Sequence, residues 1–164
     1  MKQNTSNLFL ICSSFLLGFI LTIIKLPSWA NELRPAFIPL ILCYWCLFYP
    51  EKIGLITAWI LGIILDGINN TLLGEHALSL LLPTYFVLKF HRQIRVFPIW
   101  QQAFIISVLT FLYQFTLFWV QGIIGQPTGG ALFWLPAITT SLLWPIEIPI
   151  LHHLLFRRKF NKNR

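Results

Sequence analysis

The sequence predicts an all-helical integral membrane protein with about six transmembrane helices, and three observations lead there. Of its 164 residues 57% are hydrophobic and 10% charged, whereas soluble domains carry roughly 25% charged residues. Mean hydropathy is +0.73. The apolar residues run from end to end, so residues 1–164 read as one polytopic membrane domain with no soluble second domain. The few charges punctuate long apolar intervals, and nearly all the basic ones fall on one side of the resulting topology.

A helix needs about 20 residues to cross a bilayer core, and six intervals approach that length. The first runs from Leu8 to Ile24, the second from Ala36 to Tyr49, the third from Ile53 to Ile68 and the fourth from Ala77 to Leu88. No charged residue lies between Val96 and Ile146, long enough for two crossings about a turn. Gly122, Gly125, Pro127, Gly129 and Gly130 supply that turn. The fifth span is then Ala103 to Val120 and the sixth Leu132 to Leu155, with Pro136, Pro145 and Pro149 expected to bend or break it. The second to fourth spans are short, and thinned bilayer, buried polar ends or re-entrant helices would each accommodate them.

Under six spans, Lys2, Lys52, Lys89, Arg92, Arg95, Arg157, Arg158, Lys159, Lys162 and Arg164 share one side, and only Lys25 and Arg34 the other. The positive-inside rule puts both termini and the loop around His91 in the cytoplasm. This distribution also accounts for the formal charge of +7, as orientation and headgroup contact and not as a nucleic-acid surface. Trp29, Trp45, Tyr49, Trp100 and Trp134 lie near the expected interfaces, as an aromatic belt would. Ser28-Trp29-Ala30 has the spacing of a signal-peptidase site. The long preceding run and the intervening Lys25 and Pro27 favour a retained anchor instead.

Chemistry is sparse. Cys43-Tyr44-Trp45-Cys46 puts two thiols on one helix face, as a membrane thiol oxidase would. A relay needs a second cysteine pair, and only Cys12 remains, so packing is the expected role. His152 and His153 point to different helix faces, and His76 and His91 fall on opposite sides, so no metal site is expected. No phosphate loop, nucleophile elbow or metalloprotease motif is present. No catalytic residue, metal or cofactor is assigned. The intramembrane acids carry more, because an ionisable group within a span is expensive. Asp66 lies near the outer end of the third span and Glu147 between two prolines of the sixth. Arg34 has the depth to pair with Asp66. A structural ion pair or a hydrogen-bonded acid is the leading reading, with substrate or proton handling as the alternative.

Arg34-Pro35, Leu40-Ile41-Leu42, Tyr44-Trp45, Pro50, Gly62, Leu65-Asp66, Leu73-Gly74 and Ala77-Leu78, in that order, resemble the rod shape-determining membrane protein MreD family. Trp100-Gln101-Gln102-Ala103, Phe118-Trp119 and Leu143-Trp144-Pro145 resemble its later spans, so the likeness covers nearly the whole chain. The resemblance implies a non-catalytic scaffold of the cell-elongation complex in the bacterial inner membrane. Its implied partners are MreC first, then MreB, RodA and a class B penicillin-binding protein, with membrane lipids and a second copy of the chain as further contacts. The family is similar in fold to the S components of energy-coupling-factor vitamin transporters. A small-molecule binding or transport subunit is therefore the alternative. Arg34, Pro35, Trp45, Gly62, Asp66, Gly74, Trp144 and Glu147 are the candidate structural or partner-binding residues. The uncharged loop from Gly122 to Gly130 and the basic tail from Arg157 to Arg164 depart from the family pattern.

Overall fold

The structure, a computed structural model, describes residues 2–24, Pro27, 33–125 and 130–160, except for the side chains of 2–7, 131 and 152–160. Lys25, Ser28-Trp29-Ala30, residues 126–129 and the side chains of the His152-His153 pair and the basic tail lie outside what is described.

Six α-helices form among the described residues: α1 Lys2–Ile23, α2 Phe37–Phe48, α3 Leu55–Asn69, α4 Glu75–Ile94, α5 Ile99–Ile124 and α6 Leu135–Phe160. A 3₁₀ turn, Ala131–Trp134, leads into α6. Helix α5 and the segment Leu132–Leu151 are long and apolar enough to cross a membrane. The apolar stretch of α1 and the whole of α2 and α3 are apolar but shorter.

Local chemistry sets the helix ends. Asn70 closes α3 in the left-handed region at φ 54°, which asparagine tolerates better than most residues. Pro98, whose fixed φ is preorganised for a helix start, precedes α5, and Gly125 ends it at φ 76°. Pro145 and Pro149, expected to bend or break the span, lie inside α6 without breaking it. Each removes only one backbone donor. The helix is held from both sides by its packing on α5 and by Trp144, which is fully buried.

Helix α2 is the centre of the bundle. It contacts α1, α4, α5 and α6, and every residue from Ile38 to Leu47 is buried. A helix apolar all round belongs inside, and this one carries no charged side chain. Trp45, expected at an interface, is instead wholly enclosed, its indole N–H donating to Ser14 Oγ at 2.8 Å. The ends of α2 are satisfied by distant helices. Thr140 Oγ1 accepts from Ala36 N at 2.9 Å, and Arg95 Nε donates to Leu47 O at 2.5 Å. Orphan backbone groups at a buried helix end require such partners, and a cation suits a helix C-terminus.

The interior is largely apolar but encloses several polar side chains, and the exterior is apolar too. Asp66, Glu75, His76, Gln102 and Gln114 are buried, while Ile56, Trp100, Phe104, Ile123 and Leu142 are exposed. The tightest approach is between α3 and α4, where a Cβ on Gly62 would lie 2.2 Å from Ala77 Cα. Only glycine permits that crossing. Gly62→Val is expected to force the two backbones apart at a cost of about 3 kcal/mol or more. Gly67, with open space around it, is the control. Melting of both variants in detergent checks this: Gly67→Ala should match the parent while Gly62→Val melts much lower, and equal melting would refute the close contact.

Candidate functional site

The segment joining α3 to α4 is organised by one carboxyl group. Asp66, in the last turn of α3, accepts from Thr71 Oγ1 at 3.0 Å, Gly74 N at 2.7 Å and His76 N at 2.8 Å. It also accepts from His76 Nδ1 at 2.8 Å. Two of these donors are backbone groups at the start of α4, where N–H groups lack partners inside the helix and an acid is favoured. Gly74, at φ 105°, makes the turn that points its own N–H at the carboxyl. Asn69 Nδ2 lies 3.3 Å from His76 Nε2. With Nδ1–H donating to Asp66, Nε2 accepts, which assigns the ring proton to Nδ1.

Arg34 is not Asp66's partner, as its depth had suggested. Its guanidinium donates to Leu21 O at 2.8 Å and to Ile24 O, the free carbonyls ending α1. Its Nε is buried without a partner. The basic side chain that meets Asp66 is instead His76, through a hydrogen bond from its ring. The ring of His76 was the better partner because Gly74 folds the chain back within ten residues of Asp66, whereas Arg34 is committed to α1.

Beside this network lies a cavity of about 530 Å³, to which all six helices or their entry segments contribute. Its polar lining includes Arg34, Asn69, His76, Tyr113 and Gln114, and its apolar lining includes Leu65, Leu117 and Phe133. Gln114, 4% exposed, donates through Nε2 to Phe133 O at 3.0 Å and leaves Oε1 without a partner.

The candidate residues thus fall into two groups. Gly62, Asp66 and Gly74 build the α3–α4 hairpin, and Arg34 and Pro35 reach it across the cavity that His76 also lines. Trp45, Trp144 and Glu147 belong to the packing around α2. Trp144 Nε1 donates to Gln102 Oε1 at 3.4 Å, and its ring lies 6.5 Å from that of Tyr44. Both carboxyl oxygens of Glu147 are buried without a hydrogen bond, close enough to Cys43 and Tyr44 to interact electrostatically. The thiols of Cys43 and Cys46 are free and buried in α2.

Sequence reasoning missed His76, Glu75, Thr140 and Arg95. Glu75 is 1% exposed and accepts from Gln121 Nε2 at 2.6 Å. The polar run Asn69-Asn70-Thr71 ahead of Glu75-His76 was the available signal, since such a cluster between two apolar helices implies a hydrogen-bonded turn.

The fold and site define a class: a helical bundle with an apolar exterior whose buried polar groups hold helices together, with no cluster of metal-ligating side chains among the described residues. The profile of the rod shape-determining protein MreD family matches residues 3–154. The rod shape-determining protein MreD of Haemophilus influenzae is 33% identical over 148 residues, covering 84% of this chain and 85% of that protein. No solved structure matches significantly. The chain belongs to the MreD family.

Asp66 is the residue whose loss the hairpin tolerates least. Asp66→Leu leaves two backbone donors and the His76 ring unpaired, an expected cost of about 3–5 kcal/mol. Asp66→Asn keeps one acceptor oxygen and should fall between. Abundance and melting temperature of the purified variants check the order, and a parent-like Asp66→Leu would show that the carboxyl does not hold the turn.

Proposed function

We propose that the chain is a non-catalytic scaffold of the bacterial cell-elongation machinery that helps maintain rod shape by binding partner membrane proteins. Membership of the MreD family along residues 3–154 carries this reading. The proposed first partner is MreC, with MreB, RodA and a class B penicillin-binding protein in the same assembly. Self-association is proposed as a further contact.

In this reading the chain crosses the inner membrane six times with both termini in the cytoplasm. The apolar exterior supports lipid as the solvent, and the ten-to-two division of basic residues supports the orientation. Helix α2 has 12 residues, about 18 Å at 1.5 Å per residue, which is too short to span alone. Enclosure by four other helices, with Thr140 and Arg95 at its ends, removes the need to meet lipid along its length. Between helices in lipid, association depends on close packing and hydrogen bonds more than on water exclusion. The exposed apolar faces therefore supply partner surface, and the polar interior supplies rigidity.

Two measurements test this reading. Reporter fusions after Arg164 and in the loop near His91 should both report cytoplasm, and a periplasmic signal at the C-terminus would overturn the topology. A tagged chain solubilised from membranes should co-purify MreC in near-stoichiometric amount. Its absence, with the chain at normal abundance, would overturn the scaffold.

A further inference from the structure

The cavity beside the Asp66–His76 pair has an electrostatic imbalance. Its lining carries the guanidinium of Arg34, and no carboxylate is among its described lining residues. Asp66 is 0% exposed, is not among the described lining residues and forms no ion pair with Arg34. An uncompensated cation in an apolar setting is costly and draws in an anion.

Two groups in this lining have unmet hydrogen-bonding capacity. Arg34 Nε is a buried donor with no acceptor, and Gln114 Oε1 is a buried acceptor with no donor. A ligand that meets both offers an anionic oxygen and a hydroxyl. Leu65, Leu117 and Phe133 add apolar wall, and Leu132, an exposed apolar residue, also lines the cavity, so the cavity reaches the apolar exterior. At about 530 Å³ the space lies within the range of small-molecule sites, roughly 300–1,000 Å³.

We propose that this cavity binds an anionic amphiphile, with a phosphate ester against Arg34, a neighbouring headgroup hydroxyl donating to Gln114 and the chain leaving over the apolar wall beside Leu132. This rests on the lipid-embedded reading above. Phosphatidylglycerol has this headgroup chemistry, and soluble glycerol phosphate shares it without the chain. Phosphatidylcholine has the phosphate but no hydroxyl, and its trimethylammonium opposes Arg34.

The test uses the full chain in a neutral detergent, with melting temperature and lipid retention by native mass spectrometry as readouts. Dioleoyl phosphatidylglycerol, dioleoyl phosphatidylcholine and glycerol phosphate are added separately. The parent should retain one phosphatidylglycerol per chain and gain melting temperature with it, but not with phosphatidylcholine. A gain from glycerol phosphate matching that from the lipid would support the site and make its source soluble. Arg34→Gln should weaken phosphatidylglycerol about tenfold or more, as expected for losing a charge-assisted contact. Arg34→Lys should recover part of it. Arg34 also ties down α1, so Gln114→Leu serves as the second variant. It also gives up the bond to Phe133 O, so its melting is compared with and without each lipid, and it should lose the preference for phosphatidylglycerol whatever its lipid-free melting temperature. Equal effects of the two lipids on the parent, or an unchanged preference in both Arg34→Gln and Gln114→Leu, would overturn the proposal. Release of the parent from membranes by alkaline carbonate without detergent would instead overturn the lipid-embedded reading, so the two failures are distinguishable.

Discussion

One carboxyl group fixes the geometry on which the rest of this bundle depends. Asp66 binds a hydroxyl, two backbone N–H groups and an imidazole, and all of them lie in the segment that reverses the chain between α3 and α4. A helix start buried among other helices has unpaired donors that must be met somewhere. Here the last turn of α3 meets them, so the two helices are joined end to end by polar bonds as well as along their lengths by packing. The register this sets brings Gly62 against Ala77, the approach that only a missing side chain permits. It also places His76 with its ring between Asp66 and the cavity.

The same logic operates around α2. A short apolar helix at the centre of a bundle is favourable only if its two ends are satisfied from outside itself. Thr140 of α6 and Arg95, just beyond α4, do this from far along the chain. Arg95 also sits over the Phe48 ring, with its guanidinium carbon 5.6 Å from the centroid, a geometry in which a cation is attracted to the aromatic face. A residue counted toward membrane orientation from sequence therefore also closes a helix end.

Composition and charge spacing made the six helices legible, because apolar intervals and their interruptions are local properties of the chain. Asp66 stood out for the same reason, as an acid within an apolar run, whereas Gly62 was singled out through the family resemblance. Which groups they would meet was not legible. Pairing Asp66 with Arg34 followed from depth alone, but depth says nothing about which donors the chain folds back to that point, and a positive-φ glycine at Gly74 decided it in favour of His76. Trp45 looked like a belt residue because it lies in a short span. Enclosure by four other helices is a tertiary property that no window of sequence carries. At the prolines of α6 local propensity left a bend or a break open, and packing removes the break.

The polar groups of the interior divide by whether the fold itself satisfies them. Asp66, His76, Gln102 and Trp144 have partners within the chain, and their free energy belongs to folding. Both oxygens of Glu147, Oε2 of Glu75, Oγ1 of Thr84, Oε1 of Gln114 and Nε of Arg34 do not. Buried groups with unmet hydrogen bonds each cost stability, and a bundle selected for stability alone would replace them with apolar side chains of similar size. The bundle meets such requirements elsewhere, as Thr140 does for the start of α2, while Gln121 meets only one oxygen of Glu75. Such groups are scattered through the interior, so an unmet hydrogen bond points to something outside the chain only where it borders a cavity. Arg34 and Gln114 line one cavity, whereas Glu147 faces the centre of the bundle beside α2.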